Sequence, residues 1–183
     1  MYEPRPIPWS QIHSWTCQAC GECCMWFSVP LNMYEYAKLC QAWGFEVVEI
    51  SQGRGWLRKR ADRRCVFAIP RNGLWICGLQ QEKPHACKMW PLRVSDYPTY
   101  GRKAIAKYET EGWAGYVYVD PRCPHLIFGK STQHFKNEVV AEFVRISLHT
   151  IMRQRFSTAS SSLLSTHLRQ RHSSSEGVIC RLQ

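Results

Sequence analysis

The chain has 183 residues, of which 45% are hydrophobic and 21% charged, and this excludes a largely disordered protein. No apolar run approaches the about 18 residues of a membrane-spanning helix, which argues against an integral membrane protein. Basic residues outnumber acidic ones by 24 to 14, so the formal net charge is +10. Such a charge is typical of proteins that bind nucleic acid or anionic membranes.

Ten cysteines are far above ordinary usage. The first residues lack the charged-then-apolar pattern of a secretory signal, so we expect a cytoplasmic protein. Because cytoplasmic thiols are kept reduced, a cysteine-dense chain there favours metal binding or catalysis over disulfides. If about eight thiolates bind two divalent centres, the net charge falls to about +6, since bound thiols are deprotonated. The basic excess then offsets an anionic interior, and nucleic-acid binding is not the favoured interpretation.

In chain order, residues 1–16 are rich in proline and tryptophan and are expected to be extended, and residues 17–24 contain a cysteine cluster. Asn32 is a helix-capping residue type, which predicts a short helix over residues 33–43 that ends at Gly44. The basic residues of the next stretch are Arg54, Arg58, Lys59, Arg60, Arg63 and Arg64. They indicate a solvated strand or loop face or, as the alternative, a phosphate-binding patch.

Residues 65–77 predict a β-hairpin, since two apolar runs flank a Pro-Arg-Asn-Gly turn. Side chains alternate along a strand, so the loop length decides whether the two hairpin cysteines share a face. A three-residue loop with Gly73 left-handed would place Cys65 and Cys77 on one face. A two- or four-residue loop would place them on opposite faces. If both cysteines bind one metal, we expect the three-residue loop.

The last predicted elements are a turn or short helix within residues 79–91, a strand over residues 115–120 and a long helix. That helix is predicted to open at Ser131 or Thr132, to run to about Arg155 and to be the longest of the chain. Its apolar stripe predicts packing in a core. The stripe consists of Val139, Val140, Phe143, Val144, Leu148 and Ile151.

The predicted fold class is α+β, as a small irregular domain with short β-hairpins and a few helices organised around cysteine metal sites. This domain is expected to span residues 1–155. The serine-rich residues 156–183 predict a flexible tail, in which Cys180 is expected to be a free thiol.

The strongest functional signal is the segment Cys17-Gln-Ala-Cys20-Gly-Glu-Cys23-Cys24. A Cys-x-x-Cys pair closes a knuckle whose sulfurs face one metal, and Gly21 allows the left-handed backbone that such a knuckle often needs. Backbone N–H groups in the turn can then donate to the sulfurs. Adjacent side chains usually point in different directions, so Cys23 and Cys24 indicate two nearby centres or one polynuclear cluster.

Four more cysteines complete a set of eight candidate metal ligands: Cys17, Cys20, Cys23, Cys24, Cys65, Cys77, Cys87 and Cys123. The spacing Cys17-x2-Cys20-x2-Cys23, with the remote pair Cys123-Pro124, follows the pattern that holds a [4Fe–4S] cluster. The other four cysteines would form a second site. The competing interpretation is two tetrahedral zinc sites, and the spacing does not separate the two because thiolate suits both metals.

Several neighbours of these cysteines have two interpretations. His85 and His125 lie two residues from a candidate ligand and are either ordinary surface or core residues, or occupants of an open coordination position. Cys40 lies on the apolar side of its helix and is expected to be a small buried hydrophobe. Four tryptophans are either core residues or a dry wall that shields the metal. They are Trp15, Trp26, Trp75 and Trp90.

The cysteine pattern resembles the YkgJ-type cysteine-cluster family of zinc- or iron-chelating proteins, whose signature is Cys-x-x-Cys-x-x-Cys-Cys. The resemblance runs over residues 17–130. Besides the signature, the matching segments are Cys65-Val-Phe, residues 77–91 and Cys123-Pro124 with Gly129-Lys130. Lys83 and Lys88 stand where the family usually has arginine. Lysine keeps the charge but loses the forked donor geometry of arginine.

The resemblance implies a chelating domain, and some flagellin lysine methylases carry a similar cluster. We therefore predict a metal-binding protein that holds an iron–sulfur cluster and/or zinc, with metal ions as partners and no membrane partner. The first alternative is a redox or group-transfer enzyme with an open metal position near His85 or His125. A weaker alternative is a zinc-stabilised nucleic-acid binder. No catalytic triad, phosphate loop or carboxylate pair has motif spacing, so no catalytic residue is assigned.

Overall fold

The computed structural model describes residues 4–163 and confirms an α+β fold of short antiparallel strands and small helices. The strands are β1 (Ile7–Pro8), β2 (Ile12–Trp15), β3 (Pro30–Leu31), β4 (Val48–Ser51), β5 (Arg54–Leu57), β6 (Ala68–Arg71), β7 (Leu74–Cys77), β8 (Leu92–Ser95), β9 (Lys107–Thr110), β10 (Trp113–Val119) and β11 (Leu126–Phe128). The helices are α1 (Glu22–Trp26), α2 (Met33–Trp43), α3 (His85–Met89), α4 (Lys103–Ala106) and α5 (Ala141–Ser147). Within residues 4–163, none of the helices combines the length and the apolar character needed to cross a membrane.

The first hydrophobic core lies between the sheet built on β10 and the last helix. Strand β10 covers all but the last residue of the strand predicted over residues 115–120. It pairs with β1, β8 and β9, and its alternating aromatic and β-branched residues suit a half-buried strand. Strands β2 and β11 pair beside it. The fully buried members of this core include Ile12, Val117, Val119, Phe135, Phe143 and Val144.

The second core lies under α2, between the sheet β3-β5-β4 and the β6–β7 hairpin. Helix α2 has the predicted bounds. Asn32 accepts a hydrogen bond from Glu35 N, and the Glu35 carboxylate accepts one from Asn32 N, which closes a capping box. Gly44 ends the helix with φ = 84°, a conformation that glycine adopts without steric cost. Leu39 is the residue of α2 that is buried in this core.

The β6–β7 hairpin has a two-residue loop, so the three-residue loop expected for two ligands on one face is wrong. Arg71 pairs with Leu74, and the loop residues Asn72 and Gly73 both have positive φ, as a tight primed turn requires. The alternation of side chains along the strands does not determine the direction of Cys65, because strand β6 begins three residues after it. Its carbonyl instead accepts the N–H of Ala68 in a turn.

The last helix is shorter than predicted. It passes through a π-helical segment, Phe135–Val140, and α5 ends at Ser147 rather than near Arg155. His149 takes a left-handed conformation with φ = 57°, and the chain then folds back. The buried carboxylate of Glu142 accepts the backbone N–H groups of Arg155 and Phe156, which satisfies this charged group inside the protein. The apolar stripe is therefore buried at Val144 but largely exposed at Leu148.

Candidate metal centre

The eight candidate cysteines line two adjacent cavities where the two cores meet. Cys17 and Cys123 pack against the first core, whereas Cys65, Cys77 and Cys87 pack against the second. One cavity, called centre A here, is lined by Cys17, Cys20, Cys23 and Cys123. The other, called centre B, is lined by Cys24, Cys65, Cys77 and Cys87, and Cys23 lines it as well. Apart from Cys23, which lines both cavities, each cysteine lines the cavity of the group to which the iron–sulfur spacing assigns it.

The knuckle between Cys17 and Cys23 has the left-handed backbone that the sequence predicts at Gly21. Gly21 has φ = 78° and precedes α1, which carries Cys23 and Cys24. A Cβ atom at Gly21 would lie 2.6 Å from the Trp75 ring, so the close packing of this indole also requires glycine. Ala19 is left-handed as well, with φ = 48°. Two left-handed residues within three positions therefore shape the knuckle.

The sulfurs of centre A accept hydrogen bonds from neutral N–H groups. Cys17 Sγ accepts from Ala19 N at 3.4 Å and from Ala159 N at 3.2 Å. Cys123 Sγ accepts from the indole Nε1 of Trp15 at 3.3 Å. Burial raises the pKa of the Cys17 and Cys123 thiols, and these N–H donors partly offset that rise. Fixed dipoles, rather than ions, are thus the main groups that stabilise negative sulfur at centre A.

The loop that carries Cys123 is held by a buried carboxylate. Asp120 is 1% exposed and accepts hydrogen bonds from the side chains of Arg93 and Arg122 at 3.0 and 2.6 Å. Its backbone carbonyl accepts the N–H of Cys123 at 3.2 Å. Burial favours a protonated carboxyl, but the two guanidinium groups hold the pKa of Asp120 below its usual range. The ion pairs therefore fix the turn that presents Cys123 to centre A.

Positive charges act on the cysteines of centre B, whose lining includes Lys83. The hydrogen bond from the Cys23 thiol lowers the pKa of Cys24 against the effect of burial, and the charges of Lys83, Arg64 and Lys59 lower it further. The pKa of Cys65, another thiol of centre B, shifts in the other direction. Burial raises it to about 11. Cys24 is therefore the centre B thiol whose pKa lies below its ordinary value, chiefly because of the hydrogen bond from Cys23 and secondly because of the cations.

The other two cysteines of centre B lie on β7 and α3. Burial raises the pKa of the Cys77 thiol and raises that of Cys87 well above its usual range. Neutral thiols are stable at these positions when no cation binds them. A bound metal would have to displace their protons, since the thiolate is the form that coordinates metal.

Lys83 lines centre B and is the most deeply buried cation among the described residues. It is 4% exposed, and its ammonium group donates to Ser157 Oγ at 2.7 Å and to the carbonyl of Thr158. Its charge acts on cysteines of both centres, including Cys17 and Cys77. A buried ammonium next to thiols is expensive unless the thiols become negative.

The chain reaches both centres again through residues 157–159, which the sequence analysis assigns to the tail. Ala159 donates its N–H to Cys17 Sγ, and its carbonyl accepts the N–H of Cys77 at 2.9 Å. Thr158 and Ala159 are buried and line both cavities. The short segment therefore closes the space between the centres. The remainder of the predicted tail from residue 164 onward, including Cys180, lies outside the described residues.

The two candidate histidines have different environments. His85 lines neither cysteine cavity, and its ring stacks on His149 with 4.8 Å between the centroids. His125 lines centre A, and among the described residues its buried Nε2 atom has no hydrogen-bond partner. Its location suits an interaction with a group bound in centre A. Cys40, which was expected to be buried, is partly buried against the second core and lines neither cavity.

Within residues 4–163, no group of three or more His, Cys, Asp or Glu side chains is arranged so that it could hold one metal ion. The cysteines therefore line two cavities without closing a ligand sphere around a single point. The chemistry of the donor set still fits a metal centre. The sulfurs are partly buried, several accept N–H groups, and cations lie beside them, as thiolate-bound metals require.

A family model described as "CxxCxxCC: Putative zinc- or iron-chelating domain" matches residues 16–114, which is more than half of the chain. The match contains seven of the eight candidate cysteines and ends before Cys123. No curated protein and no solved structure matches the chain.

Proposed function

We propose that this chain, which belongs to the CxxCxxCC family of zinc- or iron-chelating domains, holds two adjacent metal centres through eight cysteine thiolates. The observation that carries the proposal is the division of the eight cysteines between two cavities that meet at the neighbouring residues Cys23 and Cys24. Centre A would use Cys17, Cys20, Cys23 and Cys123. Centre B would use Cys24, Cys65, Cys77 and Cys87.

Centre A is proposed to hold a [4Fe–4S] cluster. Its four cysteines have the spacing of such a site, with three in a Cys-x-x-Cys-x-x-Cys run and the fourth before Pro124. A zinc ion draws four sulfurs to about 2.3 Å from one point, whereas the ligands of a cluster bind different iron atoms. Centre B suits iron–sulfur or zinc, since its four donors are also thiols.

The bound centres would contribute to both stability and chemistry. A [4Fe–4S] cluster supplies one-electron transfer when it is bound. The residues of this chain would hold it in a partly dry cavity, with the indole N–H of Trp15 and the amides of Ala19 and Ala159 on its thiolates. Since the ligands come from segments far apart in sequence, metal affinity becomes part of the folding free energy.

Anaerobic purification followed by elemental analysis and a visible spectrum tests the proposal. A brown protein with iron and labile sulfide supports the iron–sulfur assignment. A colourless protein with about two zinc ions per chain supports two structural zinc sites and rejects the cluster. A protein that contains neither metal contradicts the proposed function as a whole. The Cys40→Ser variant is the matched control, because Cys40 is a described cysteine outside both cavities and should leave the metal content unchanged.

A second candidate function is redox or group-transfer chemistry at an open position of centre A. His125 favours it, because an imidazole nitrogen is a metal ligand and this one is buried at the cavity. A small added ligand such as azide would then perturb the visible or magnetic spectrum of the loaded protein, and the His125→Phe variant would change that response. A spectrum that azide leaves unchanged in both proteins would count against an open position.

A further inference from the structure

An open cleft lies between α2, residues 79–88 and the segment that follows α5, outside both cysteine centres. Its volume is about 700 Å³, and clefts of about 300–1,000 Å³ are typical binding sites for small organic molecules. Many of the side chains that line it are apolar, as in such sites. They include Leu39, Leu79, Ile146, Ile151 and Met152.

Specific contacts join the three walls of the cleft. The Glu35 carboxylate on α2 accepts the backbone N–H of Asn32 at 3.0 Å and that of His85 at 2.6 Å, which ties α2 to the start of α3. The ring of His85 stacks on that of His149, with 4.8 Å between the centroids, and this contact ties α3 to the segment that follows α5. The cleft is therefore a defined feature of the fold, and two imidazole rings lie in its lining.

The charges in the lining of the cleft leave positive side chains without acidic partners. Both carboxylates of the lining are engaged, since Glu35 accepts two backbone N–H groups and Glu82 pairs with Lys38. Within residues 4–163, neither Lys88 nor Arg153 has a carboxylate partner. Lys88 donates only to a backbone carbonyl, at 3.4 Å. The charge that remains free to meet a ligand is positive.

We propose that this cleft binds a small organic anion, in which an apolar or aromatic body carries a carboxylate, sulfonate or phosphate group. The apolar lining takes the body of the ligand, and Lys88 and Arg153 bind its anionic group. Arginine suits this role because its planar fork can donate to two oxygens at once. The neutral imidazoles of the lining add N–H donors for the same group.

The position of the cleft gives the ligand a place beside the cysteines. Leu79 and Lys83 line both the cleft and centre B, so these two side chains lie between a bound ligand and that cavity. The inference goes beyond the proposed function and does not depend on which metal the cysteines bind. It also gives His85 a place in the lining of a ligand site.

Fluorescence titration of the full chain tests the proposal. The probe is anilinonaphthalene sulfonate, which joins an aromatic body to an anionic group and fluoresces strongly in apolar surroundings. Its control is phenylnaphthylamine, which has the same ring system without the sulfonate. We expect the wild type to bind about one molecule of the sulfonate per chain, as one cleft of this size allows.

The first pair of variants tests the charge. Arg153→Glu reverses an exposed charge of the cleft, whereas Arg145→Glu makes the same change at an exposed arginine of α5 that does not line it. We expect Arg153→Glu to bind the sulfonate about tenfold more weakly, because an attractive ion pair becomes a repulsive one. Its affinity for the uncharged probe should stay the same, and Arg145→Glu should match the wild type with both probes.

A second pair tests the location and keeps the experiment decisive if Arg153→Glu does not fold. Ala42 and Ala37 are both exposed on α2, but only Ala42 lines the cleft. The bulky side chain of Ala42→Trp should fill part of the cleft and prevent the binding of both probes at concentrations that saturate the wild type. Ala37→Trp should bind them as the wild type does.

Three outcomes would overturn the inference. The first is a wild type that does not bind the sulfonate. The second is equal binding by the wild type, Arg153→Glu and Ala42→Trp, because the probe then binds elsewhere. The third is an equal loss of both probes in Arg153→Glu, because the anionic group then makes no difference. Arg153 and Ala42 line neither cysteine cavity, so failure of the metal assignment would leave a positive result in place.

Discussion

The two halves of the cysteine cluster stabilise negative sulfur in different ways. Centre A uses neutral donors, such as the amides that bond to Cys17 and the indole that bonds to Cys123. At centre B, backbone N–H groups likewise lower the pKa of Cys65 and Cys77, but the charges of Lys83, Arg64 and Lys59 add to the hydrogen bond from Cys23 in lowering the pKa of Cys24. Neutral donors are fixed by the backbone and insensitive to salt, whereas charges act over a longer distance and are partly screened. The comparison shows that two thiolate sites in one small domain can differ in how much charged side chains add to neutral N–H donors.

The largest expected effect comes from the removal of a centre B sulfur. We expect Cys87→Ser to lose the metal of centre B and most of the stability that this metal provides, because Cys87 lines that cavity and packs against the second core. The measurement is metal content together with the melting temperature. Cys40→Ser should keep both values, and equal metal content in the two variants would contradict the assignment of centre B.

The next largest effect is expected from the removal of Lys83, whose charge acts on cysteines of both centres. We expect Lys83→Met to destabilise the metal-loaded protein by about 3–5 kcal/mol, the cost of removing one partner from a buried charge pair. In the metal-free protein the same change should be neutral or stabilising, because burial lowers the pKa of Lys83 and penalises its charge.

Urea unfolding of both forms gives the two free energies. Lys83→Arg should retain the stability of the loaded form, since it keeps the charge. A loss of equal size in the loaded and metal-free proteins would show that Lys83 acts through packing rather than through charge on the sulfurs.

A rise in pH should lower the stability of the metal-free protein but raise its affinity for metal. Burial raises the pKa of Cys65 from 9.0 to about 11, so the metal-free fold favours the neutral thiol. Its contribution to stability is complete below about pH 9 and is lost as the pH rises toward 11. Metal binding must release thiol protons, so metal affinity should instead rise with pH. Chelator competition and thermal melting between pH 6 and pH 10 measure the two trends, and parallel trends would contradict this account.

The smallest effect concerns a neutral donor of centre A. Trp15→Phe removes the indole N–H that bonds to Cys123 Sγ and should cost about 1 kcal/mol in metal binding. The loss should be the same at low and high salt, because no ion is removed. A loss that depends strongly on salt, or one confined to centre B, would contradict the claim that a neutral donor stabilises the Cys123 sulfur of centre A. Metal retention measured at two salt concentrations checks this.

Local patterns in the sequence predicted the elements that local physics determines. The Asn32 cap, the Gly44 stop and the strand within β10 follow from capping and alternation, and the structure confirms them. The assignment of the eight cysteines as metal ligands stays a prediction, although seven of them line one cavity each and Cys23 lines both.

The features that sequence analysis missed depend on packing between distant segments. Thr158 and Ala159 lie in a serine-rich stretch that carries no apolar pattern, yet they are buried against cysteines more than 70 residues away in sequence. The early end of α5 depends on the capture of backbone N–H groups by Glu142, which no helix pattern encodes.

One error had a local signal. The pair Asn72-Gly73 is typical of a two-residue hairpin loop, and the three-residue loop was favoured only because Cys65 was assigned to the ladder.

Native mass spectrometry of the anaerobically purified chain tests the central claim most directly, since it weighs the protein and its bound metal together. The account predicts a mass increment for two centres, of which Cys87→Ser loses one and Cys20→Ser loses the other. A mass equal to that of the bare chain, or one lowered by the hydrogens lost in disulfide bonds, would contradict the claim that eight thiolates hold two metal centres.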